Sequence, residues 1–137
     1  MKAQAAFEYM LVFLIVIGFM IPVWTYTTGM KTEAGEELSL TYARSGAEKL
    51  ASTSDLIYSQ GAPARARINL YIPEGVVNYT FVNRSIVFRV RYFDYITDVV
   101  ATSKARMNGT LPLERGSHWI RVEAVDSDDY DISVQPV

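Results

Sequence analysis

The sequence predicts an α+β chain, a long N-terminal hydrophobic then amphipathic α-helix packed on a C-terminal antiparallel β-sheet domain. Three observations predict it. Gln4 to Trp24 is an almost unbroken apolar run, the following stretch to Ser59 repeats with a helical period, and after Pro63 the period falls to two. The elements are an apolar helix over 4–26, an amphipathic helix over 27–60 and an antiparallel β domain over 61–137.

The apolar run reads QAAFEYMLVFLIVIGFMIPVW and holds one charge, Glu8. At ~1.5 Å per residue it spans roughly 30 Å, the hydrocarbon thickness of a bilayer. Only Met1, Lys2 and Ala3 precede it, so a cut ahead of the run leaves the helix on the mature chain. It reads as a retained helix, with Lys2 on the inner side by the positive-inside preference. Glu8 is the anomaly, because an unpaired carboxylate at depth costs a few kcal/mol. Gly18 and Pro22 interrupt the run, and proline removes a backbone donor, so a bend near Gly18 is expected. Trp24 and Tyr26 suit a membrane–water interface.

From Thr27 to Ser59, a step of 100° per residue places Tyr42, Ala43, Gly46, Leu50, Thr53 and Ile57 on one face. Glu37, Arg44, Glu48, Ser52 and Asp55 fall opposite. Gly29 and Gly35 weaken the junction with the apolar half, where a break is an open alternative to one continuous helix. Gln60-Gly61-Ala62-Pro63 supplies the stop. Strands are predicted around Ile68–Ile72, Val76–Val82, Ile86–Phe93, Thr97–Arg106, His118–Val125 and Tyr130–Val134. Turns are expected at Pro73-Glu74-Gly75, Asn83-Arg84, Asn108-Gly109 and Arg115-Gly116-Ser117. Together they make one antiparallel sheet of about five or six strands with a face on the amphipathic helix.

Composition narrows the function. Thirteen basic and fifteen acidic residues leave a net charge of −2, which offers no basic field for nucleic acid. The chain has no cysteine, so disulfides and thiolate metal sites are excluded. His118, the one histidine, has no nucleophile or carboxylate at motif spacing, and reads as a solvated or hydrogen-bonded strand residue. Asp126, Asp128, Asp129 and Asp131 have the flavour of a calcium loop but lack its sixth-position glycine and twelfth-position glutamate. They read as a solvated acidic turn. Arg89 and Arg91, with Arg84 nearby, read as cross-strand partners of carboxylates or as a subunit contact. No enzyme activity, cofactor or metal is expected. Three sequons, at Asn78, Asn83 and Asn108, fall in the β domain and none in the helix.

The segment KAQAAFEYML resembles the class III signal peptide of archaeal type IV pilins. That family has a short basic leader, a cut before a glutamine, a glutamate at the fifth mature position and then an apolar helix. The resemblance implies a leader over 1–3, cleavage between Ala3 and Gln4, and Glu8 as the fifth mature residue, followed by the aromatic Tyr9. Ala3 stands where the family usually has glycine, and Ala6 where it often has serine. A prepilin-like α+β fold is implied, and with it a structural subunit of a pilus that supports surface adhesion. The subunit would wait in the membrane and then polymerise outside the cell as a helical homo-oligomer. A prepilin peptidase and an assembly platform with its ATPase are the implied partners, with N-linked glycans on the sequons. Gln4 and Glu8 would set register, and Phe7, Tyr9, Leu11, Phe13, Leu14, Ile17, Gly18 and Ile21 would line the filament core. The alternative is a membrane-anchored binding or adhesion module, or a minor pilin, that does not form the bulk filament.

Overall fold

The computed structural model describes residues 2–137, with side chains from residue 4 onward. One α-helix, α1 (Lys2–Gln60), is followed by seven strands. These are β1 (Arg65–Ile72), β2 (Val76–Val82), β3 (Ser85–Tyr92), β4 (Tyr95–Thr102), β5 (Met107–Gly109), β6 (Gly116–Ala124) and β7 (Ile132–Pro136). The helix runs unbroken through Pro22, Gly29 and Gly35. The α+β class is therefore as the sequence predicts, and the junction has no break. Met1–Gly35 and Glu36–Val137 form separate compact units.

In the second unit, the helix turns Ala43, Ala47, Leu50, Ala51, Ser54 and Ile57 inward. The stripe is rotated from the expected one: Tyr42 is exposed, while Gly46 and Thr53 are only half-buried. Ala43, Ala47 and Ala51 recur a turn apart on this face, alongside the larger Leu50 and Ile57. Ser54 is fully buried, and its hydroxyl donates to the Leu50 carbonyl at 2.8 Å, so burying it leaves no orphan donor. The helix ends where Gly61 adopts φ 74° and its N–H bonds back to the Ile57 carbonyl at 3.1 Å.

The strands form two sheets rather than one. A four-stranded sheet has the order β1-β6-β7-β5, and a three-stranded sheet the order β2-β3-β4. Each contributes one face to a single core with the helix. Leu70, Ile72, Ile120, Val122, Ile132 and Val134 come from the first sheet, and Ile86, Phe88, Val90, Val99 and Ala101 from the second. The predicted strand Thr97–Arg106 stops at Thr102 because the chain there crosses between sheets. Ser103 N–H donates to the Arg84 carbonyl, and Met107 N–H to the Asn83 carbonyl. The expected turn at Asn108-Gly109 is instead the end of β5, paired in parallel with β7. Gly109 has φ 151°, and a Cβ on it would overlap the Val134 backbone, so a turn-like dipeptide serves here as a close backbone contact. The unpredicted turn at Phe93-Asp94 closes the β3–β4 hairpin with Phe93 at φ 51°, and the Phe93 N–H donates to the Glu36 carboxylate.

Two polar clasps fasten the crossing segment. The Asp55 carboxylate accepts from the Ser103 hydroxyl and the Lys104 N–H, both at 2.6 Å, although helical phase placed Asp55 on the solvent face. Arg106 grips Asp131 with two side-chain bonds, at 3.2 and 3.0 Å, and a backbone N–H at 2.9 Å. Its remaining nitrogen donates to the Asp128 carbonyl at 2.7 Å. Asp131 is thus a structural ion-pair partner, not part of a solvated turn.

Hydrogen bonds from the Arg106 side chain, then from its backbone N–H, hold the Asp131 carboxyl below its ordinary value of 3.8. A carboxylate with a lowered folded pKa contributes stability fully above its unfolded pKa. That contribution is lost as pH falls through the folded value. Asp131→Asn is therefore expected to melt lower than the parent at neutral pH and to lose less stability between pH 4 and 2. Thermal melts across that range check it, and parallel acid limbs would contradict it. Gly109→Ala is expected to cost roughly 3 kcal/mol from left-handed strain and backbone overlap. Gly29→Ala, with open space around it, is expected to cost nothing. Denaturant titration of both variants measures the contrast.

Candidate functional site: the exposed apolar helix

Every described side chain from Gln4 to Gly35 is exposed. The expected core-lining residues belong to this set, from Ile17 at 39% exposure to Tyr9 at 79%. Phe7, Leu11, Leu14, Gly18 and Ile21 fall on one stripe by helical phase, while Tyr9, Phe13 and Ile17 lie off it. Met10, Ile15 and Phe19 are exposed as well. From Gln4 to Trp24 the surface is apolar around the whole circumference apart from Glu8, which suits a helix surrounded by lipid or by other protein, not an amphipathic surface helix. Among the described residues, α1 is the one helix long and apolar enough to cross a membrane.

Gln4 and Glu8 lie one helical turn apart and share a face. Among the described residues no ion pair engages Glu8. It is the single charge between Lys2 and Lys31. The cleavage expectation at Ala3, and the leader residue Lys2, concern side chains outside the described residues.

A feature that periodicity does not reveal follows Pro22. The Thr25 hydroxyl donates to the Pro22 carbonyl at 2.9 Å, Thr27 to the Val23 carbonyl at 2.6 Å and Thr28 to the Trp24 carbonyl at 2.5 Å. Each hydroxyl is satisfied by its own helix, so this polar segment can enter an apolar environment without an unpaired donor. The signal in the sequence is the TYTT run directly after the apolar stretch.

The other candidates disperse over the second unit. Asn78 on β2, Asn83 in the β2–β3 turn and Asn108 on β5 are all exposed. The Asn78 and Asn108 side-chain oxygens each accept the next residue's N–H at 2.8 Å. Arg89 pairs with Asp98, its cross-strand neighbour, at 3.2 Å, whereas Arg91 faces Ile96 across the strands. The pair is exposed and adds little stability. The His118 Nε2–H donates to the Glu114 carbonyl at 2.7 Å. Asp131 is committed to Arg106, and no group of three or more His, Cys, Asp or Glu among the described residues is placed to hold a metal.

The arrangement joins a wholly exposed apolar helix, carrying one carboxylate near its start, to a separately packed β domain whose sequons face solvent. No family model, no curated protein and no solved structure matches the chain.

Proposed function

We propose that the chain is the structural subunit of a surface filament of the archaeal type IV pilin kind. It is held in the membrane before assembly and polymerises through its N-terminal helix. The observation that carries this reading is the exposed apolar surface of Gln4–Trp24 with Glu8 as its lone charge. A lipid anchor accounts for the apolar surface but gives Glu8 no partner.

In this reading a membrane peptidase removes Met1–Ala3 and frees the amine of Gln4. An assembly platform with its ATPase then lifts subunits out of the bilayer. Once outside, the helix leaves water by packing against copies of itself. At about 25 cal/mol per Å² of apolar area, burying a helix of this size contributes tens of kcal/mol gross. Ordering costs leave a much smaller net. The contact is head to tail and does not close, so it propagates as a fibre that supports surface adhesion. Glu8 meets the Gln4 amine of its own or a neighbouring chain. A buried pair of this kind adds little net stability but penalises misalignment, which makes it a register device.

Protein from sheared surface filaments is expected to begin at Gln4. An intact Met1 found only in membranes would overturn the filament in favour of the anchored module. Glu8→Gln is expected to insert and be cleaved, with filament yield reduced at least about tenfold because one member of a buried pair is lost. A cleaved Glu8→Gln chain that polymerises like the parent would remove the register role.

The exposed sequons are read as glycan sites. Intact-mass measurement of the native protein is expected to exceed the mass of the bare processed chain. Asn78, Asn83 and Asn108→Gln changes would then remove the excess stepwise, and a mass equal to the bare chain would contradict the assignment.

A further inference from the structure

The outer face of the four-stranded sheet carries an arrangement that the fold does not need. Arg67 on β1 lies directly opposite Arg121 on β6, and Gln135 on β7 lies opposite Arg121 on its other side. The next row along places Asn69 opposite Trp119, whose indole is 58% exposed. Arg65 flanks the arginine pair, and with Ala66, Arg67 and Arg121 it lines a shallow concavity. Lys49 adds a further cation nearby, donating to the Asn69 carbonyl at 2.8 Å. Among the described residues, neither Arg67 nor Arg121 forms an ion pair, and Glu123 is the one carboxylate in the adjoining row. Like charges directly opposite across strands destabilise a sheet, so the pair is a cost to folding without return inside the chain.

We infer that this face is a binding site for an anionic polysaccharide built of carboxylated sugars. Residues two apart on a strand lie about 7 Å from each other on the same face, which sets Trp119 beside the arginine row. One sugar ring can stack its C–H face on the Trp119 indole while its carboxylate reaches the paired guanidiniums. Two planar forks side by side suit a carboxylate, which each binds through parallel N–H bonds. Asn69 and Gln135 supply neutral partners for sugar hydroxyls. A nucleic-acid strand is less well served, since such sites track several phosphates and stack successive bases on several aromatics. An acidic protein loop would use the arginines but not an exposed indole flanked by amides.

The test uses the full-length chain in detergent micelles on immobilised polygalacturonate. Neutral dextran, poly-glutamate and oligothymidylate serve as comparison surfaces. Retention on polygalacturonate above all three is expected. Arg67→Gln, Arg121→Gln and Trp119→Ala should each weaken it about tenfold. Arg121→Lys should recover part of the loss, and Arg89→Gln, on the other sheet, should change nothing. Arg121→Gln relieves the like-charge pair, so its thermal midpoint should equal or exceed the parent's, which separates lost binding from lost folding. Retention no better than on dextran would overturn the proposal, as would equal loss from Arg89→Gln. Stronger retention on poly-glutamate would reassign the face to an acidic protein surface, and on oligothymidylate to nucleic acid. Micellar subunits are unassembled, so none of these outcomes depends on the filament reading.

Discussion

The apolar surface of Gln4–Trp24 is exposed on every side, and water is a poor environment for it. Amphipathic helices solve this by turning one stripe inward. From Gln4 to Trp24 the helix has no polar face to turn outward, so apolar surroundings suit it on every side. The threonines after Pro22 fit the same constraint, because their hydroxyls are already bonded to the helix carbonyls. Glu8 alone resists it. In the proposed filament, the cation that answers this carboxylate is the freed amine of Gln4, one turn away.

The same helix changes its packing strategy beyond Gly35. There its inward face mixes the small Ala43, Ala47 and Ala51 with the larger Leu50 and Ile57, and all five join the core of the two sheets. Carboxylates from distant parts of the chain receive backbone N–H groups of the segment between the sheets. Asp55 receives the crossing segment between the sheets, and Asp131 holds Arg106 at its far end. The Tyr79 hydroxyl, accepting from the Leu111 N–H at 2.9 Å, ties the loop after β5 to the other sheet. The segment joining the sheets is therefore fixed at two places, and the loop after β5 at a third, by side chains from distant parts of the sequence.

The β domain keeps its inner faces apolar and its outer faces chemically distinct. The three-stranded sheet neutralises Arg89 with Asp98 in register. The four-stranded sheet leaves Arg67 and Arg121 facing each other beside Trp119. Both faces come from alternating strands of similar composition, and strand pairing decides which arginines meet carboxylates and which meet each other. The sequons share these outward positions, Asn78 next to Arg89 in one sheet and Asn108 next to Ser133 in the other.

Much of the molecule is legible in the sequence because its signals are local. The apolar run, the helical period that follows, the Gly61 stop and the alternation of β1, β2, β3 and β6 each depend on residues a few positions apart. The candidate helix is legible for the same reason. What pairs across long separations is not. Helical phase alone put Tyr42 inward and Asp55 outward, whereas contact with β1 and with Ser103 rotated the stripe and recruited the carboxylate. Asn108-Gly109 has the composition of a turn, but the Val134 backbone lies where a side chain would be, so the glycine serves a parallel pairing. The division into two sheets, the grip of Arg106 on Asp131 and the meeting of Arg67 with Arg121 all follow from strand register. Register is set by packing over the whole core, and only the tertiary structure decides it.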